Sequence, residues 1–400
     1  MNPTIRAWTW LIACGFALAI AAVNAAEPMV VPVEGEPFAA LLTYAADNKL
    51  EFAHGATKRT LEVSDLVRYG DFLEPRRGPI WLLVDGGLLV ADVLELNKET
   101  LRGDSKILGK LSLPLGKVSG ILMRPPSDRS RRDTLMKSLA AVQGDTDRLI
   151  LDNGDELTGT IEAISGESIA LVAATKRIEV ELPRVAAIAF NPSLAEKSRL
   201  PTRYLVLGFS DGSRVLTESI GADAKNITFG LFGVEQKTRA SALVGLQVFG
   251  GRATYLSGLK ESSFKHVPYL QLAWPLDKNA NVLGQPLRAG GKQYLNGLGM
   301  HTAARVAYKL EGPYQEFQAE LAIDDSAEGR GSAVCSVFVD DGSGKWQPKY
   351  TSPVIRGGEP PVPVRVDLTG VKAISLLADF ADHGDELDHV DWLNARLVKK

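Results

Sequence analysis

The sequence predicts an all-β protein: repeated β-meander units, as small SH3-like or Sm-like barrels or one stacked array, followed by an antiparallel β-sandwich or jelly roll. Three observations predict it. Between Pro28 and about Gly251 the apolar residues alternate with polar ones, the period of half-buried strands rather than of helices. Asp-Gly and Asn-Gly pairs follow these runs, which is the commonest short hairpin signal. From about Arg252 the strands lengthen and aromatic residues and glycines become more frequent, over a span suited to a sandwich.

Composition bounds the rest. The 400 residues carry 45 Lys+Arg against 48 Asp+Glu, a net charge of −3, and 45% are hydrophobic. That excludes wholesale disorder, collagen and multi-span membrane architecture, and a near-neutral chain projects no broad field for nucleic acid. The length favours two or more cores.

Residues 1–25 read as a signal peptide. Arg6 is the only charge, Trp8 to Val23 is almost unbroken apolar sequence, and Val23 and Ala25 are small residues placed for cleavage before Ala26. The expectation is export to the periplasm, the cell surface or the medium. A lipobox-like Leu11-Ile12-Ala13-Cys14 offers lipid anchoring as the alternative. No later stretch approaches the roughly 18 apolar residues of a membrane span, so the mature chain is expected to lack one. With Cys14 in the leader, Cys335 stands alone and is expected to be a small buried hydrophobe.

The front half, 26–251, divides into units near 30–71, 80–125, 147–192 and 204–250. Trp81-Leu82-Leu83-Val84 feeds Asp85-Gly86, Leu149-Ile150-Leu151 feeds Asn153-Gly154, and Tyr204-Leu205-Val206-Leu207 precedes Asp211-Gly212. The units also end alike: Leu115-Gly116-Lys117-Val118-Ser119-Gly120-Ile121, Leu182-Pro183-Arg184-Val185-Ala186-Ala187-Ile188, Ala242-Leu243-Val244-Gly245-Leu246 and, more weakly, Val63-Ser64-Asp65-Leu66-Val67. Between the second and third units, residues 127–142 read as one helix with Ser127 at the N-cap and Leu135, Met136, Leu139 and Val142 as its apolar stripe. Its Arg129, Arg131 and Arg132 are expected on a solvated face. The half contains no phosphate loop, nucleophile elbow or His-Glu-x-x-His pattern.

In the C-terminal third, strands are expected at Leu270 to Leu276, Ala303 to Leu310, Phe317 to Ile323, Val334 to Val339, Val362 to Leu368, Lys372 to Ala378 and Trp392 to Leu397. An ordered series of motifs runs through them: Tyr294-Leu295-Asn296-Gly297-Leu298-Gly299-Met300-His301, then Tyr308-Lys309-Leu310-Glu311-Gly312-Pro313-Tyr314. Phe317-Gln318-Ala319, Ile323-Asp324-Asp325 and Val337-Phe338-Val339-Asp340-Asp341-Gly342 follow. Val366-Asp367-Leu368-Thr369-Gly370-Val371 and Asp388-His389-Val390-Asp391-Trp392 close the series. Residues 253–400 thereby resemble the carbohydrate-binding module family abbreviated NPCBM, known beside glycosyl hydrolase family 98 catalytic domains. The resemblance implies a galactose-binding-like β-sandwich that binds glycans, galactose-containing ones in characterised relatives, often with a structural calcium ion. It implies no catalysis. Two departures are small: Ala322 stands where a Gly commonly precedes the Asp-Asp pair, and Gly344-Lys345 lengthen a hairpin.

Sugar recognition needs an aromatic face for the apolar side of a pyranose and a few polar groups for its hydroxyls. The candidates are Trp346 after its turn, and His301, Asp388, His389 and Asp391, with loop locking as the competing role of the last four. For calcium the candidates are the carboxylates Asp324, Asp325, Asp382 and Asp385, solvated acidic loops being the competing reading. No cofactor is required. The expected protein is an exported, non-catalytic glycan binder whose β repeats present or oligomerise the module. The alternatives are a structural envelope protein whose sandwich binds protein, and a glycoside hydrolase with its carboxylates in the repeats.

Overall fold

The computed structural model describes residues 27–75, 77–196, 200–269 and 271–399; the expected leader, with Cys14, lies outside them. It is an all-β chain of several antiparallel sheets with one α-helix among the described residues. In the front half four runs, residues 29–70, 80–122, 147–189 and 204–249, repeat one plan. A first strand leads to a bent or broken second, two more strands, a 3-10 turn and a closing strand. The recurrent sequence ending of each unit is that turn: Val63–Asp65, Leu115–Lys117, Leu182–Arg184 and Ala240–Ala242. Each closing strand then pairs with its own first strand, as in Tyr69 with Val30, Gly120 with Leu82, Ile188 with Leu149 and Leu246 with Leu207. Gly86, Gly154 and Gly212 take the positive φ that their hairpin turns require.

The units pair two by two. Closing strands of the second and third units run antiparallel with Ile121 opposite Ile188, and those of the first and fourth with Tyr69 opposite Leu246. Small residues permit this approach: Gly120 faces Ala189, and Gly70 faces Gly245. A Cβ on Gly120 would stand 2.7 Å from the Ile188 carbonyl oxygen. The second strands also meet, Leu96 opposite Ile164 and Ala222 opposite Ala45. Each pair therefore builds a four-stranded layer and a six-stranded layer that bury apolar side chains between them. Fully buried Trp81 packs where Gly103 leaves room, and Phe209 meets Phe229 at 5.5 Å. Arg214 opposite Leu88 joins the two pairs.

The helix is Arg129–Ala140. Its N-cap is Asp128, not Ser127: Asp128 accepts a hydrogen bond from the Arg131 backbone N at 2.8 Å. The apolar stripe is in place, with Leu139 buried and Leu135, Met136 and Val142 packed around it. The basic cluster is not a solvated face throughout. Arg132 is buried and holds Glu74 at 2.9 Å, and Arg129 reaches the same carboxylate at 3.4 Å.

The C-terminal third is a two-sheet sandwich. One sheet contains Gly297–His301, His389–Lys399, Tyr314–Ile323 and Val362–Asp367; the other contains Ser263–His266, Ala304–Lys309, Ala373–Phe380, Ser332–Asp340 and Gln347–Thr351. Trp392, Phe317, Tyr308 and Cys335 are buried between them. The strand expected at Leu270 to Leu276 is absent from the described residues 271–276, which are irregular. Pro268 and Pro275 bracket that segment and lack the N–H a ladder needs, and Ser263–His266 takes the sheet edge instead.

The sandwich packs on the outer face of the first-and-fourth pair. Gln247 Nε2 donates to Asn394 Oδ1 at 3.2 Å and to the Tyr255 hydroxyl at 2.9 Å, and Gln318 Nε2 donates to the Val33 carbonyl at 3.1 Å. Buried Arg288 of the sandwich pairs with Asp133 on the helix at 2.8 Å and with Glu74.

Candidate functional site

At one end of the sandwich the strands Gly297–His301 and His389–Lys399 lie side by side, with His301 directly opposite His389. Directly opposed residues on one face bring their side chains together, and the two rings are 5.8 Å apart. The irregular segment 271–276 crosses this end and lays Trp274 parallel on His301, with ring centres 5.0 Å apart and planes within 5°. Trp274 is half-buried and lies 6.3 Å from His389. His266 fastens the segment: its Nδ1 accepts from the Trp274 backbone N at 3.2 Å, and its Nε2 donates to the Thr302 carbonyl at 3.0 Å. His301 Nδ1 donates to the same carbonyl at 2.9 Å, which leaves Nε2 as the acceptor of a neutral ring. His389 Nδ1 meets Ser326 Oγ at 3.0 Å.

Burial governs the electrostatics. It pulls His301 below the ordinary imidazole range, and burial together with neighbouring His301 takes His389 down to about 4. Both rings are therefore neutral at pH 7. Burial pushes Asp388 up to about 6, although it accepts from Ser332 N at 2.7 Å and Thr302 Oγ1 at 2.8 Å. Asp391 is fully buried, neither carboxyl oxygen has a partner, and burial and adjacent Asp324 push it well above the carboxylate range.

The structure thus brings together His301 and His389, with Asp388 behind them holding Thr302. Asp391 faces inward. Trp346 is elsewhere: it lies over the Arg305 guanidinium at 4.9 Å, with Phe338 also against that group at 5.4 Å. The five residues do not line one pocket. Trp274 and His266 were not among the sequence candidates, because the segment reads as a strand; its bracketing prolines around a tryptophan were the available signal.

The four acidic candidates for calcium do not fit a metal ion. Asp324 accepts from Asn281 Nδ2 and Ser326 N through Oδ1 and from Arg288 N through Oδ2. Asp325 accepts from Gly290 N and Gly291 N, and Asp382 is paired with Arg356 at 2.7 Å. Asp385 lies beside Asp388 and His301 instead. Among the described residues no three His, Cys, Asp or Glu side chains gather around a point suited to a metal. Asp324 and Asp325 thus spend their acceptors mainly on loop backbone, and Asp382 spends its own on Arg356.

Residues 252–398 match the family model described as NPCBM/NEW2 domain. This part of the chain is similar to that family. A relative from Renibacterium salmoninarum named "Putative endo-alpha-N-acetylgalactosaminidase" is 35% identical over 115 residues, 29% of this chain; the chain spans 7% of that relative's length. Among solved structures, a CBM51 from Clostridium perfringens GH95 in complex with methyl-galactose is 22% identical, with 36% of this chain and 99% of that chain covered and a TM-score of 0.32. The CBM51-2 and INT domains of Clostridium perfringens ZmpB are 23% identical, with 44% and 36% covered and a TM-score of 0.33. Sequence thus places the NPCBM/NEW2 domain over the sandwich that carries Trp274, His301 and His389. Among the described residues no helix is long and apolar enough to cross a membrane.

Proposed function

We propose that the chain is an exported, non-catalytic glycan-binding protein whose sandwich engages a sugar at the Trp274 end. The observation that carries this reading is the parallel stack of half-buried Trp274 on His301. It fixes a large aromatic ring at the surface beside imidazole nitrogens that are neutral at pH 7. An aromatic ring covers the C–H face of a pyranose, and neutral imidazoles exchange hydrogen bonds with its hydroxyls at no charge-desolvation cost. The family match over residues 252–398 supports the ligand class, and the apolar leader in the sequence supports export. The β repeats contact the module through the buried Arg288 ion pairs, and clustering of several copies on a polymer would raise a modest affinity through effective concentration.

The test is titration of the full chain against a panel led by galactose-containing oligosaccharides. Trp274→Ala is expected to lower affinity at least tenfold with an unchanged melting temperature, while Trp346→Ala binds as the parent does. Parent-like binding by a folded Trp274→Ala variant would sink the proposal. A second reading, a protein ligand, draws on exposed Val267, Tyr269 and Leu272 in the same segment. Silence across the glycan panel with saturable binding to an envelope protein would favour it.

A further inference from the structure

The sandwich does not cover the whole outer face of the first-and-fourth pair, and the uncovered part is a cavity of about 720 Å³ between the two halves of the chain. That volume is in the range of a small-ligand site. Tyr204 and Phe249, opposite one another in their ladder, form a parallel aromatic pair in its wall with ring centres 4.7 Å apart. Arg214 comes from the same sheet face. Its nearest acids, Glu74 and Asp133, are engaged by Arg288, and among the described residues Arg214 makes no ion pair of its own. Desolvation and nearby Arg288 take its guanidinium down to about 10, against the pull of Glu74 and Asp133, so it stays charged at pH 7. Lys399 adds a second cation at the rim, and Asp85, whose Oδ1 already accepts from Gly87 N, is the one acid in the wall among the described residues.

A half-buried cation that makes no ion pair offers its donors to an anionic group that reaches it. An aromatic pair beside it calls for an apolar ring face on that ligand. The geometry points to a second saccharide site at this junction, one that takes a pyranose bearing a carboxylate, with the carboxylate on Arg214 and the sugar face against Tyr204. Planar carboxylate matches the guanidinium fork in two parallel hydrogen bonds. This site uses no residue of the Trp274 end and stands independently of that reading.

The test is calorimetric titration of the full chain with cellobiouronic acid and with cellobiose, in the parent and in Trp274→Ala. The acid is expected to bind at least tenfold more tightly than the neutral disaccharide in both proteins, and to weaken several-fold between 50 and 500 mM NaCl. Arg214→Met should erase the preference, and Tyr204→Ala should weaken binding at least fivefold even if Arg214→Met does not fold. Equal affinity for the two sugars, no binding of the acid, or a preference that survives in folded Arg214→Met overturns the inference. If Trp274→Ala removes all binding of the acid, this second site is refuted while the sandwich-end reading stands.

Discussion

Asp388 and His389 are adjacent in sequence, and burial moves them in opposite directions. Asp388 rises to about 6 and His389 falls to about 4. Asp385 faces Asp388, and His301 and Asp324 face His389. Because the native state keeps the Asp388 proton where the unfolded chain has lost it, the Asp388 contribution to stability is present below the ordinary carboxylate range. It is lost as pH rises through 6. For His389 the unfolded chain takes up a proton that the native state refuses, so that contribution is present above the ordinary imidazole range and is lost as pH falls through 4. The two oppose each other between pH 4 and 6. Asp388→Asn should remove one opposing group while buried Asp391 and His301 stay the same in both proteins: between pH 6.5 and 4, urea melts should show the variant losing on the order of 2 kcal/mol relative to the parent. An unchanged slope would show that Asp388 is not perturbed. Cys335 is fully buried and burial pushes its thiol up, so a disulfide reagent should leave it unmodified until the chain unfolds.

At the scale of elements, the layers of each unit pair touch where large and small residues alternate. Trp81 fills the space above Gly103, and a Cβ there would stand 2.4 Å from the ring and from the Asp92 carbonyl oxygen. Gly103→Val should therefore cost about 3 kcal/mol or more, read as a drop in the urea midpoint. Asp128→Ala, which removes only the helix N-cap, should cost about 1 kcal/mol. The unit endings were legible because a 3-10 turn and a closing strand form from contiguous residues such as Leu182 to Ile188. Their partners were not, since the Ile121–Ile188 and Tyr69–Leu246 registers join residues far apart in the chain. Trp274 was hidden for a related reason: its segment has a strand's composition, and two prolines keep it out of the ladder.

Across the whole molecule, Arg288 ties the sandwich to the repeats through Asp133 and Glu74, all three largely removed from water. Removing one partner of such a network leaves uncompensated charge, at a cost of about 3–5 kcal/mol. Parent protein should melt in one calorimetric transition, whereas Arg288→Ala should split it into separate transitions for the two halves. A single, merely shifted transition would mean that the remaining junction contacts suffice for coupling.

By itself the sequence determined the all-β class, the repeated units and the resemblance of the C-terminal third to the NPCBM family. Those properties follow from period-two alternation, local turn chemistry and motif order, all written within short windows. Only the tertiary structure decided which units pair, that Arg132 and Arg288 are buried in one ion-pair network, and that Asp324 and Asp325 spend their oxygens on backbone N–H groups. It also set Trp274, not Trp346, against His301 and His389, and among the described residues left Arg214 outside any ion pair. Burial and counter-charge are set by what the rest of the chain brings alongside, and a linear reading cannot supply that neighbour.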